Sequence, residues 1–183
     1  MFARLIARDR GAKRRVAALY VALVEHARRP EFYTGCGVPD TVWGRFDMII
    51  LHAFLVFRRL QDDGTAHQDF SQALFDHMFA DVDHNLRELG VGDLSVGKKV
   101  KQMAQGFYGR VAAYEKGLAA DDVAALDEAL RRNLFGGADP TPEQVGAIRD
   151  YLRREAGAIR SWPIDRLLRG EISFGPPPGA MEG

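Results

Sequence analysis

Four groups of residues in this sequence have types and spacings that suggest chemistry. Gly92, Gly97 and Lys98, in "GVGDLSVGKKVK" (90–101), stand at the G-x-x-x-x-G-K spacing of a phosphate-binding loop. Such a loop needs a strand before it, so that backbone N–H groups surround the phosphates, and a Ser or Thr after the lysine to hold magnesium. Here Lys99 follows Lys98, the preceding segment has helical spacing, and no βαβ pattern occurs, so nucleotide chemistry is rejected. His77, Asp81 and His84 share one face of a helix at a spacing that suits zinc or iron, but that face points away from the helix's apolar stripe and is expected to be exposed and polar. His52 lies within the most apolar stretch, either as a core histidine satisfied by one hydrogen bond or as a polar point in a groove. Cys36, the single cysteine, sits between Gly35 and Gly37 in what reads as an exposed loop; it excludes an internal disulfide and lacks the context of a nucleophile. Nothing assembles a nucleophile, a base and an oxyanion donor, so no catalytic residue, metal site or cofactor is expected.

These residues must be positioned by helices. Apolar residues recur at helical spacing and no period-2 alternation appears, which predicts an all-α protein: a single compact domain of six to seven helices over residues 1–174, with a disordered Pro/Gly-rich tail at 175–183. The first helix is expected from Ala12 to Arg29, with a separate short helix before Gly11, and Pro30 opens a long structured loop to Gly44. Asp40 or Thr41 caps a second helix running to Gln61, on which Phe46, Ile49, Ile50, Ala53, Phe57 and Leu60 share one face and Met48, Leu51 and Leu55 the other. A helix apolar on both sides is either the centre of a bundle or lines a groove. A third helix spans Gln68 to Leu89, with Phe75, Met78, Phe79, Val82, Leu86 and Leu89 inward and Gly90 as its stop. A fourth, Val96 to Leu118, is capped by Asp93 or Ser95 and buries Val100, Met103, Phe107, Val111 and Tyr114; a fifth, Asp122 to Phe135, turns Val123, Leu126, Leu130 and Leu134 inward. "TPEQ" (141–144) is a capping-box start for a sixth, and "SWPIDRLL" starts a short seventh.

Net charge is zero, but its distribution is not even: residues 1–29 hold Arg4, Arg8, Arg10, Lys13, Arg14, Arg15, Arg28 and Arg29 against only Asp9 and Glu25. This basic segment suits an anionic membrane surface or the ribosome. Lys98, Lys99 and Lys101 fall in or near the first turn of the expected fourth helix, where the helix dipole disfavours cations, and so suggest an anionic partner. The longest apolar run, Met48 to Phe57, is about half a membrane span.

Two blocks, "VPDTVWGRFDMIILHAFLVFRRL" (Val38 to Leu60) and "QALFDHMFADVDHNLRELGVGDLSVGKKVKQMAQGFYGRVAAY" (72–114), resemble the ubiquinol-cytochrome c chaperone family, assembly factors for cytochrome b of the respiratory bc1 complex. The resemblance implies an all-helical, non-enzymatic protein that binds newly made cytochrome b. It implies that Gly44, Arg45, Phe46, Asp47, His52, Arg58 and Arg59 belong to the first block and Asp93, Ser95, Gly97 and Lys98 to the second. With the apolar face added, the candidate client contacts are Arg45, Phe46, Asp47, Met48, Leu51, His52, Leu55, Arg58 and Arg59; the candidate anion or partner contacts are Asp93, Ser95, Lys98, Lys99 and Lys101. The protein is expected to lack a long presequence, and its Ala/Arg/Gly-rich composition suits a bacterial member, expected in the cytoplasm at the inner face of the plasma membrane. Two rivals remain: a helical DNA-binding regulator, which lacks the short-turn helix pair it needs, and a metal-dependent helical enzyme built on His77, Asp81 and His84.

Overall fold

The computed structural model describes residues 2–120 and 122–179, with side chains from Arg10 onward. All regular structure among them is helical: α1 (Phe2–Ala27), α2 (Glu31–Thr34), α3 (Val42–Gln61), α4 (Gln68–Glu88), α5 (Asp93–Ala119), α6 (Val123–Asn133), α7 (Pro142–Arg160) and α8 (Ile164–Leu168). The expected break at Gly11 is absent, because a glycine inside a helix costs only about 1 kcal/mol relative to alanine and a long helix absorbs that. The side chains of Arg4, Arg8 and Asp9 lie outside the described residues.

The segment after Pro30 folds inward. One turn of helix, α2, buries Phe32, and Cys36 and Val38 follow it into the core. Cys36 is therefore a buried thiol, pushed up to about 11 by desolvation, and not the exposed loop thiol its glycine neighbours suggested. Thr41 caps α3 by accepting the Gly44 N–H at 3.1 Å. The return of the loop brings the Pro39 carbonyl oxygen to within 2.0 Å of where a Cβ on residue 44 would sit, so only glycine fits there.

Helix α3 is the centre of the bundle and packs on α1, α4, α5 and α7. Met48, Leu51 and Leu55 on one face and Ile50 and Val56 elsewhere around it are wholly buried, so the groove expected along the first face is filled by the protein's own core. Gly90, at φ +81°, ends α4 in the left-handed cap, with Val91 N–H donating to the Leu86 carbonyl at 3.0 Å. Leu89 lies past the last turn and is exposed, while Leu74 takes a core place the sequence did not mark. Gly117 lets α6 approach α5, since a Cβ there would stand 2.8 Å from that of Leu126. Asp122, expected as the first residue of this helix, caps α6 instead, accepting from Ala125 N–H at 3.0 Å, and Val123, expected inward, faces solvent in the first turn. The capping box of Thr141 and Gln144 starts α7, whereas α8 starts at Pro163 with no side-chain cap.

After α8 the chain runs without helix along α7. Residues 175–179, expected to be free, pack there: Gly175 N–H donates to Glu155 Oε2 at 2.9 Å, Arg154 donates to the Pro176 carbonyl, and Pro177 is buried. Residues 180–183 lie outside the described residues.

Two glycines within the matching blocks test this reading. Gly44→Ala should cost about 1–3 kcal/mol in chemical denaturation, through the Pro39 clash. Gly97→Ala, exposed inside α5 with nothing within 4 Å, should instead stabilise by about 0.5–1 kcal/mol.

Candidate functional site

The nine α3 residues expected to meet a client divide by position. Met48, Leu51, His52 and Leu55 are fully buried between the surrounding helices, so their part is in the core rather than on a surface. Asp47 is buried and ion-paired with Arg110 of α5, at 2.8 Å; burial pushes its carboxyl up to about 6 against the pull of that guanidinium. Arg58 reaches Glu115 of α5 at 2.8 Å, and Arg59 donates to the Trp162 carbonyl and to Asp63. These three charges brace α3 against its neighbours.

What remains at the surface is the first turn and a half. Arg45 is exposed, donates to Asp40 at 2.6 Å and lies 5.9 Å from the centre of the Tyr33 ring; Phe46 is half-buried beside it. Val42 and Trp43, which sequence reasoning passed over, are 56% and 54% exposed. Both precede the apolar stripe, and periodicity does not reveal where the bundle stops covering a helix. The end of α3 thus offers an aromatic and an aliphatic side chain edged by a cation.

Deeper in the helix, His52 anchors a buried polar centre. Its Nδ1 lies 2.8 Å from the Met48 carbonyl, which only accepts, so this nitrogen carries the proton. Its Nε2 then accepts from the Tyr151 hydroxyl at 2.7 Å, and the Tyr151 oxygen in turn accepts from His26 Nε2–H at 3.0 Å. Every proton is placed with both rings neutral. Burial pushes His52 down to about 3, and burial with nearby Arg29 pushes His26 down to about 4. Neither is poised for acid–base work near neutral pH.

Phe32 and Phe174 close the centre, the Phe174 ring standing 4.9 Å from His52 and 5.0 Å from His26. Phe174 belongs to the C-terminal strap, and clefts of about 410 and 260 Å³ flank it, one beside His26 and Arg29, the other beside Ile159 and Trp162.

The second block is arranged otherwise. Helix α5 starts at Asp93 with Gly92 at its cap and no capping side chain, so neither Asp93 nor Ser95 caps it. The start is three residues earlier than expected and carries Lys98, Lys99 and Lys101, all exposed, beyond the first turn, where the dipole no longer opposes them. Asp93 pairs with Arg87 across the α4–α5 turn, and Ser95 is exposed. The Gly92–Lys98 segment is a helix connection and helix start, not a loop after a strand.

His77 and Asp81 are half-buried against α1 rather than fully outward: Tyr20 donates its hydroxyl to Asp81 at 2.8 Å, and its ring meets that of His77 at 5.3 Å. His84 lies apart, beside Glu88. Among the described residues no group of three His, Cys, Asp or Glu is placed to hold a metal.

The buried centre sets a pH dependence. The unfolded histidines titrate near 6.5 and the folded ones at about 3 and 4, so the unfolded chain binds protons that the folded chain refuses. Their contribution is complete above about pH 6.5 and is lost as pH falls toward 4. Asp47, raised to about 6, acts in the opposite sense, but it is one group against two. Melting temperature is expected to fall between pH 7 and pH 5, and less steeply in His26→Asn. At pH 7, Tyr151→Phe should cost about 1–3 kcal/mol, since it orphans both rings.

Comparison with known proteins gives a consistent result. The ubiquinol-cytochrome C chaperone family matches residues 34–174. Ubiquinol-cytochrome c reductase complex assembly factor 1 of Mus musculus is 29% identical over 167 residues, 90% of this chain and 56% of that protein. Its Xenopus laevis counterpart is 27% identical, over 90% of this chain and 83% of that protein. The chain thus spans little more than half the length of the mouse protein, and the same holds for the human one. The crystal structure of the Cbp3 homolog from Brucella abortus superposes with a TM-score of 0.83 at 36% identity, over 96% of this chain and 97% of that one. With its helical fold and a match that covers most of its length, this chain belongs to the ubiquinol-cytochrome C chaperone family.

Proposed function

We propose that this protein is a non-catalytic assembly chaperone that holds newly made cytochrome b while the bc1 complex is built. The observation that carries the reading is the exposed end of α3, where Val42 and Trp43 stand beside Arg45 within the segment the family match covers. A client of many membrane-spanning helices presents apolar surface before it inserts, and a holding protein must offer exposed apolar groups edged by charge. Trp43 supplies the large aromatic anchor that such contacts favour, and Arg45, held by Asp40, supplies the polar edge. The buried residues of α3 then serve the client indirectly, by holding this end rigid. No helix among the described residues is long and apolar enough to cross a membrane. On this reading it works in the cytoplasm, on the side of the membrane where cytochrome b is made.

Deletion of the gene in its host is expected to lower cytochrome b and assembled bc1 complex while leaving other respiratory complexes at their normal level; unchanged cytochrome b and bc1 would overturn the reading. Trp43→Ala should keep stability within about 0.5 kcal/mol, as an exposed substitution does, yet restore the deleted strain poorly. Full restoration would remove Trp43 from the contact.

A further inference from the structure

We propose that the outward face of α5, with the α4–α5 turn at its tip, docks the protein on an anionic lipid surface. This goes beyond the chaperone reading and does not depend on it. At about 100° per residue, Lys98, Lys101, Tyr108 and Lys116 each lie within about 40° of Leu94 around α5, an arc of about 80° opposite the stripe of Val96, Phe107 and Tyr114 that enters the core. All five are exposed: Leu94 is bare to solvent along its whole side chain, and Tyr108 is 59% exposed. Leu89, in the adjoining turn, is 59% exposed as well.

Among the described residues, the lysines of this face have no acidic partner. The only acidic residues of α5 are Asp93 and Glu115, and both are engaged with arginines of neighbouring helices, Asp93 with Arg87 and Glu115 with Arg58. Glu88 at the turn is beside His84. Among the described residues no carboxylate is paired with Lys98, Lys101 or Lys116. The face is therefore a row of cations on a convex helix, with two leucines projecting at one end and a tyrosine midway.

The apolar residues decide which polyanion it suits. A nucleic acid backbone would use the lysines, but would gain nothing from Leu89 and Leu94 held out in water at the tip. A lipid surface uses both: headgroup phosphates meet the lysines, the leucines enter the acyl boundary, and Tyr108 lies at the headgroup level. A helix hairpin tip is also convex, which suits a soft plane better than a protein pocket.

The test is co-sedimentation of the full chain with vesicles of phosphatidylcholine alone and of phosphatidylcholine with phosphatidylglycerol. Binding is expected only with the anionic lipid, and it should weaken as salt rises. Lys98→Glu with Lys101→Glu should weaken it by at least about tenfold. Leu94→Ser should weaken it by about three- to tenfold and leave the salt dependence unchanged. Leu94, Lys98 and Lys101 are exposed, so the melting temperature should not move and a loss of binding is not a loss of folding. Three outcomes would overturn the proposal: no binding to anionic vesicles; binding that survives the double lysine reversal within about twofold, which would assign it to the basic start of α1; or binding to a homopolymeric RNA without binding to vesicles.

Discussion

Between its exposed ends helix α3 is buried on every side and yet carries an aspartate, a histidine and an arginine into the interior. A polar group taken out of water must be matched there or its desolvation is uncompensated, by about 1–3 kcal/mol for a neutral group and more for a charge. Each is matched by a group far from it in the chain. Asp47 finds Arg110 on α5, His52 finds Tyr151 on α7 and through it His26 on α1, and Arg59 finds the Trp162 carbonyl just after α7. The apolar residues of α3 would accept several packings. The polar ones accept only the arrangement that brings these partners to them, and so they fix how α1, α5 and α7 sit around the central helix. A buried ion pair adds little net stability, but losing one partner is costly, so Asp47 and Arg110 act chiefly on which arrangement forms.

The same constraint separates the residues that carry the family likeness from those able to touch another molecule. In the first block Gly44 is required by the Pro39 carbonyl, and Asp47, His52, Arg58 and Arg59 are spent inside the fold. At the start of α3, Val42, Trp43, Arg45 and the partly covered Phe46 reach the surface. The strap that follows α8 extends this economy: Phe174 covers the histidine centre, and the buried Glu155 holds the backbone of Gly175. Contact surface is left to helix ends and outward faces, where exposed side chains change binding without disturbing the core.

The features legible in the sequence were local ones. The caps at Thr41 and Thr141, the stop at Gly90 and the two-sided apolar character of α3 each depend on a few neighbouring residues, and each is found in the structure. What escaped depends on residues far apart in the chain. Periodicity shows which way a side chain points but not whether another element lies there. Hence Leu89 and Val123 have the spacing of core residues but sit at uncovered helix ends, Cys36 has the setting of an exposed loop but its loop turns in, and His77 and Asp81 have an outward spacing but are covered by α1. The chain from His26 through Tyr151 to His52 joins three helices, and no spacing rule connects residues 26, 52 and 151. His52 alone gave a signal, as a histidine in an apolar run that needed partners from elsewhere.

The central claim is that this family member holds its client at the exposed end of α3 while the rest of that helix stays in the core. It is tested most directly by placing a photo-activated cross-linking amino acid at position 43 and, as a control, at position 56, where Val56 is fully buried. Irradiation during synthesis of cytochrome b is predicted to join the client to position 43 and not to position 56. Adducts at 56 but not 43, or none at either in cells that assemble the complex normally, would contradict it.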